Sequence, residues 1–329
     1  MRIIRGLHNL GSFRSELAAG CVATLGAFDG LHLGHKTVLD QLLEEAANRA
    51  CPAVVVVLEP LPREYFAPVQ APARLMSLRE KAEGFAALGI DYLLVIRFNE
   101  QLRNMSAEAF IERVFINGLN VAHLIMGDDS HFGRGGEGDV ELLRKYGEQH
   151  NFKVVPTKTC AVDGERVSSS RIRQLLEAGE LGKAERLLGR PYTISGKVIY
   201  GRQLGRTLGA PTANIALHRL RAAMAGVYAV EARICRQDAS RGDHESPRWH
   251  AGVANVGTRP TLNESIEAML EVHLLDYAQS LYGARLEIRF LQWLREEQRF
   301  ESLDLLKQQI QRDIDAARQW FASQQISTR

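Results

Sequence analysis

The 329-residue chain is 45% hydrophobic and 24% charged, and its 41 Lys+Arg against 39 Asp+Glu leave a net charge of +2 with histidines neutral. At ~150 residues per domain this length predicts two domains, and with only 10 Pro and 28 Gly the composition excludes a disordered or collagenous chain. No apolar run approaches the ~18 residues of a membrane helix, the opening MRIIRGLHNLGSF is too broken by glycine and polar residues to be expected as a signal peptide, and the near-neutral charge gives no broad footprint for nucleic acid.

From Val22 to Leu188 short apolar runs alternate with helical spacings. Ala53 to Leu58 (AVVVVL) reads as a strand buried on both faces, and Tyr92 to Ile96 and His123 to Met126 as two more. Lys36 to Ala50 carries an apolar stripe of helical period. Ser77 to Leu88 and Ser106 to Phe115 read as helices opening on a capping serine. This alternation predicts a parallel sheet with helices on both faces. Beyond Leu188, strands are expected at Tyr192–Tyr200, Gly226–Cys235, Trp249–Val256, Ile266–Leu274 and Arg285–Leu294, pairing antiparallel in a barrel or sandwich. Arg236 to Arg248 is read as an exposed hairpin loop, and a final amphipathic helix as running from Ser302 to Phe321. The Gly189-Arg190-Pro191 punctuation marks the expected boundary, with domains at 1–188 and 189–329. Cys21, Cys51, Cys160 and Cys235 are isolated and form no CxxC, so reduced thiols of a cytoplasmic protein are expected rather than a zinc site or disulfide framework.

Four segments carry chemistry. Gly26 to His35 (GAFDGLHLGH) joins a strand to a helix, and such turns lie at the carboxyl edge of a parallel sheet. Gly26, Gly30 and Gly34 allow close approach of a phosphate, the helix start supplies free N–H groups, and His32 and His35, three apart, can face one point. Taken alone, the pair reads rather as two surface histidines flanking a glycine, or as a stray metal site for which no third ligand lies nearby; the strand before and helix after favour the phosphate site. Val167 to Arg173 (VSSSRIR) opens another helix with hydroxyls and two guanidinium groups, and is otherwise an ordinary capped start. Met126 to Asp139 (MGDDSHFGRGGEGD), with Gly127 and Asp128 at its head, is a loop expected at the same sheet edge. Gly201 to Ile215 (GRQLGRTLGAPTANI) joins a glycine-rich turn to PTAN, where Thr212 and Asn214 offer hard oxygen ligands suited to the Mg²⁺ carried on ATP. In MLEVHLLDY, alternation puts Glu271 and His273 on one strand face; apolar neighbours suit Glu271 to a general base with a raised pKa, although a solvated edge glutamate has the same pattern.

Together these segments, with GVYAV at 226–230, resemble the prokaryotic bifunctional riboflavin kinase/FMN adenylyltransferase (FAD synthetase) family over nearly the whole chain. The resemblance implies a Rossmann-like nucleotidyltransferase domain followed by a β-barrel riboflavin kinase domain with a terminal helix. His32 and His35 would act on the ATP phosphates in adenylyl transfer, with Gly26, Phe28, Asp29, Gly34, Gly127 and Asp128 lining that site. Ser169, Ser170, Arg171 and Arg173 would form the second phosphate-binding element. In the kinase site Gly201, Gly205, Arg206, Pro211, Thr212 and Asn214 would hold Mg-ATP, and Glu271 would take the ribityl proton. Partners are then ATP and flavins (riboflavin, FMN and FAD), with neither nucleic acid nor membrane among them; a homo-oligomer is compatible with the sequence. Leu58 and Leu61 stand where the family usually has phenylalanine and histidine, Ser130 and His131 where an aromatic and a basic residue are common, and Ser170 where threonine is usual. Two other readings compete: an adenylyltransferase carrying a non-catalytic flavin-binding module, and an RNA-linked class I aminoacyl-tRNA synthetase, whose HxGH-like turn is similar but whose helical anticodon-binding region has no counterpart here.

Overall fold

The computed structural model describes residues 1–158, 160–200, 211–217, 219–235, 248–260 and 266–327. The expected 236–248 hairpin loop therefore lies almost entirely outside the described residues, as do Gly201, Gly205 and Arg206. The chain divides into two compact units: Met1–Pro72 with Leu78–Val167, and Ala73–Ser77 with Ser168–Arg329.

The first unit runs β1 (Arg2–Arg5), β2 (Cys21–Leu25), α1 (Leu33–Asn48), β3 (Ala53–Glu59), α2 (Pro62–Phe66), α3 (Leu78–Ala87), β4 (Tyr92–Arg97), α4 (Glu100–Arg103), α5 (Ala107–Phe110), β5 (Val121–Met126), α6 (Val140–His150) and β6 (Lys153–Pro156), then a short hairpin of β7 (Ala161–Val162) and β8 (Glu165–Arg166). Six strands form one sheet in the order β1-β4-β3-β2-β5-β6, every pairing parallel. Alternation along β3 explains its unbroken apolar sequence. Val54 and Val56 enter one core layer with Leu94 and Leu124, while Val55 and Val57 enter the other with Leu39 and Phe85. Ser106 caps α5 as its sequence predicts, accepting the Ala109 N–H at 3.2 Å, and a π-helical turn (Ile111–Ile116) continues it. The chain moves from β2 to β3 and β4 on one side, and then to β5 and β6 on the other. The switch in direction lies between β2 and β5, and the crevice beyond their carboxyl ends is where such sheets bind ligands.

The second unit contains α7 (Ser169–Glu177), α8 (Leu181–Leu188), β9 (Thr193–Ile199), β10 (Ala213–Ala216), β11 (Gly226–Cys235), β12 (Trp249–Pro260), β13 (Ile266–Leu274), β14 (Arg285–Arg295) and α9 (Leu303–Ser327). Its strands close into a barrel in the order β10-β13-β12-β11-β14-β9, all antiparallel, which selects the barrel over the sandwich. Ile194, Ala254, Val256, Leu270, Leu286 and Ile288 are fully buried inside it. Helix α9 covers part of the outer face, Ile314 and Ala317 packing with Val227, Ala229 and Val253. Arg295 holds the helix to the barrel by donating to both oxygens of Asp313, at 2.8 and 2.7 Å.

Ala73–Ser77, although it interrupts the first unit in sequence, is bonded into the second. The Tyr192 hydroxyl donates to the Leu75 carbonyl at 3.2 Å, Arg219 to Arg74 O at 3.4 Å, and Arg173 Nε to Ala73 O at 2.6 Å.

Candidate functional site

In the first unit the turn after β2 is built under backbone strain. Phe28 and Leu31 adopt φ of 47° and 43°, in the left-handed region that non-glycine residues rarely enter, and Gly30 lies at 94°. Packing holds the turn there. The buried Phe28 ring meets Phe85 edge-on at 5.6 Å and tilts against His35 at 5.2 Å. Beneath the turn, the fully buried Lys81 donates from Nζ to the Ala27 carbonyl at 2.9 Å. Sequence reasoning missed Lys81, because a single lysine in a helix otherwise reads as solvated.

His32 is the N-cap of α1. Its Nδ1 accepts the His35 backbone N–H at 3.2 Å, so in the neutral ring the proton sits on Nε2. The two imidazoles stack with centroids 3.6 Å apart and planes inclined by 15°. Three-residue spacing thus brings the histidines together as expected. Gly34 permits the stack: a Cβ there would approach the His32 ring at 3.2 Å and the Val167 carbonyl at 3.4 Å. Gly26 is needed similarly, a Cβ meeting the Phe28 ring at 2.9 Å. Asp29 is buried in the turn. Burial, with smaller contributions from His32 and Lys81, holds His35 well below its ordinary pKa of 6.5. His35 is therefore neutral near pH 7, and its Nδ1 has no hydrogen-bond partner among the described residues.

That depression has a consequence for stability. Between the folded pKa and 6.5 the unfolded chain binds more protons than the folded one, so stability is complete above about 6.5 and is lost as pH falls below it. Thermal unfolding of the wild type is expected to lose more on acidification from pH 8 to 5 than that of His35→Asn. Equal losses would contradict the assignment.

Beside the turn, at the carboxyl ends of β2, β3 and β5, lies a cavity of about 500 Å³, within the ~300–1,000 Å³ range of small-ligand sites. Gly26, Ala27 and Met126 border it, and Phe66, Phe98, Phe110 and Phe132 give it an aromatic wall. Leu58, Leu61, Ser130 and His131, four of the five positions where the sequence departs from the usual pattern, all line it. Gly127 and Asp128 follow β5 at the same edge; the exposed Asp128 lies 4.0 Å from Arg144. A Cβ on Gly127 would lie 3.0 Å from Asp129 Oδ1.

Of the three serines at 168–170, Ser168 is used by the helix itself, accepting the Arg171 N–H as the N-cap of α7. Ser169 and Ser170 form the first turn. Arg171 is half-buried, and Arg173 is engaged at Nε by Ala73 O.

On the barrel, register collects the second constellation. Asn214 on β10 lies directly opposite Glu271 on β13, and Glu271 directly opposite Asn255 on β12. Their strand neighbours Ala213, Leu270, Val272, Ala254 and Val256 fill the interior, so Asn214, Glu271 and Asn255 share the outer face. His273, two residues beyond Glu271, donates from Nδ1 to the Pro211 carbonyl at 2.9 Å and so fixes the start of PTAN. Thr212 and Asn214 are half-buried. Asn255 had no motif to mark it.

The FAD synthetase family profile matches residues 14–171 and the riboflavin kinase profile residues 188–321. The bifunctional riboflavin kinase/FMN adenylyltransferase of Pseudomonas fluorescens is 46% identical over 318 residues, 97% of each chain. That of Escherichia coli K12 is 46% identical over 321 residues, 98% of each. A relative of the same name from Haemophilus influenzae is 41% identical over 98% of this chain and all of its own. Among solved structures, one described as a macrolide-efflux protein from Streptococcus pneumoniae superposes with a TM-score of 0.74 at 26% identity, covering 97% of this chain and 99% of that one.

Proposed function

The chain belongs to the bifunctional riboflavin kinase/FMN adenylyltransferase family, phosphorylating riboflavin to FMN and adenylylating FMN to FAD, and from that premise we propose which residues carry each reaction. The single observation behind the pairing of activities is that both profiles match one chain, in sequence order. Incubation with riboflavin and Mg-ATP, followed by chromatographic separation of the flavins, tests it: FMN and then FAD are expected, and FMN accumulating without FAD would overturn the second activity. The non-catalytic flavin-binding module is not favoured, since the riboflavin kinase profile spans the barrel.

We assign residues 1–188 to adenylyl transfer and 189–329 to the kinase reaction. In the first, an FMN phosphate oxygen attacks the α-phosphorus of ATP, the bond from that phosphorus to the bridging oxygen breaks, and pyrophosphate leaves. The phosphate is already an anion, so the site has to align and neutralise rather than deprotonate. The His32 Nε2–H and the His35 ring donate to phosphate oxygens, Gly26, Gly34 and the α1 start admit the triphosphate, and Phe28 and Asp29 hold the turn. Gly127 and Asp128 border the same edge. Ser169, Ser170, Arg171 and Arg173 keep their expected part in holding phosphate, and the FAD synthetase match extends through Arg171.

The 500 Å³ cavity takes the isoalloxazine ring of FMN against its phenylalanine wall. Phe66 lines it and is 58% exposed, so it contributes little to the core. Phe66→Ala is expected to raise the KM for FMN roughly tenfold, about one lost ring contact, with riboflavin phosphorylation unchanged. An unchanged KM would place the ring elsewhere.

In the second reaction the terminal ribityl hydroxyl attacks the γ-phosphorus of ATP while Glu271 takes its proton, and ADP leaves. The Thr212 hydroxyl and Asn214 carbonyl are half-buried hard donors beside Glu271, a set that fits Mg²⁺. Bound with ATP, the ion would neutralise phosphate charge. Pro211 sets the PTAN start, and Gly201, Gly205 and Arg206 keep their expected part in holding ATP. We assign both reactions to the cytoplasm, in keeping with the free thiols of Cys21, Cys51, Cys160 and Cys235.

A further inference from the structure

We infer that Asn255 is a substrate-positioning residue of the kinase site, its amide oxygen accepting a hydrogen bond from a secondary hydroxyl of the ribityl chain while Glu271 serves the terminal one. The inference rests on the reading of Glu271 as the base. Register places Asn255 directly opposite Glu271 on the neighbouring strand, which sets their Cβ atoms about 4.5–5.5 Å apart on one face. That separation is on the scale of hydroxyls along one polyol chain.

The Asn255 oxygen is buried and has no hydrogen-bond partner among the described residues. Buried acceptors are almost always satisfied, so one left open beside a reacting group calls for a donor from outside the protein. Packing does not account for an asparagine here. The preceding outward residues of β12, Ala251 and Val253, and the facing Val227, are apolar and pack with the terminal helix. The apolar series breaks at the Glu271 row. Riboflavin supplies hydroxyl donors along its ribityl chain, whereas ATP phosphates offer only acceptors. Of the hard donors suited to Mg²⁺, Asn214 lies on β10, on the opposite side of Glu271, and Thr212 just before that strand.

The test compares riboflavin with a flavin whose N10 chain is 5-hydroxypentyl, which keeps the terminal hydroxyl and lacks the secondary ones. For Asn255→Ala, kcat/KM with riboflavin is expected to fall roughly tenfold, about one hydrogen bond, while kcat/KM with the analogue matches wild type. Asn255→Leu, closer in volume, is expected to give the same pattern and guards against a collapse around the smaller side chain. FMN-to-FAD conversion in the same preparations reports an intact chain. Equal losses on both flavins would overturn the inference in favour of packing. A changed Mg²⁺ half-saturation with no discrimination between flavins would overturn it in favour of a cation site. Glu271→Gln, run in parallel, separates the two readings: if it phosphorylates riboflavin normally, the base assignment itself fails, whatever Asn255 does.

Discussion

Glu271→Gln is expected to lower riboflavin phosphorylation by about 10²–10⁴-fold, the usual contribution of a positioned general base, while FMN-to-FAD conversion proceeds at the wild-type rate. Glutamine preserves the shape of the side chain but offers no carboxylate to receive the proton. A sugar alcohol is a poor nucleophile near neutral pH, so the loss falls on the chemical step. It should therefore appear in kcat, with the KM values for riboflavin and Mg-ATP little changed, as for an interaction made only in the transition state. The variant should fold, because Glu271 is on the outer barrel face and the interior positions beside it, Leu270 and Val272, are untouched. Starting the assay once from riboflavin and once from FMN, with chromatographic separation of the flavins, isolates each step. Loss of FAD formation from added FMN would show that the two reactions share Glu271. A normal rate from riboflavin would remove it from the mechanism.

What the sequence made legible was local. AVVVVL announced a doubly buried strand because each of its faces meets a different core layer. The GAFDGLHLGH turn announced its site because glycines, histidines and a helix start all converge within ten residues. The rest depended on contacts distant in sequence. Arg2–Arg5 forms an edge strand only because Ile3 and Ile4 pair with Leu93 and Leu94, and four residues reading RIIR carry too little pattern to show it. Ala73–Ser77 is bonded into the second unit through Tyr192, Arg219 and Arg173, and nothing in ARLMS signals that attachment. Asn255 is the same case in the site: one asparagine in an apolar run, which register alone sets beside Glu271. The serine run at 168–170 looked like three equivalent hydroxyls, whereas the helix needs the first as its cap.

Replacing His32 and His35 together by alanine is expected to reduce adenylyl transfer by at least about 10³-fold, more than the loss of one preorganised donor, with riboflavin phosphorylation retained. The two single variants should differ in kind. His32→Ala also removes the α1 cap, so its thermal stability should fall by an additional amount equivalent to roughly 1 kcal/mol. His35→Ala leaves the cap residue in place and removes the half-buried ring of the stack. His35 acts as a neutral donor because burial disfavours its charged form, and His32, whose Nδ1 accepts the His35 N–H, donates from Nε2. The rate of FMN adenylylation should then be flat between pH 7 and 8.5, above the second ionisation of the FMN phosphate near ~6. A catalytic imidazolium would behave oppositely, its contribution vanishing as pH rises through its pKa. A rate that declines steadily across that interval, and whose decline disappears in His35→Ala, would show that the stacked pair works in the charged form and that the strained turn holds a proton rather than excluding one.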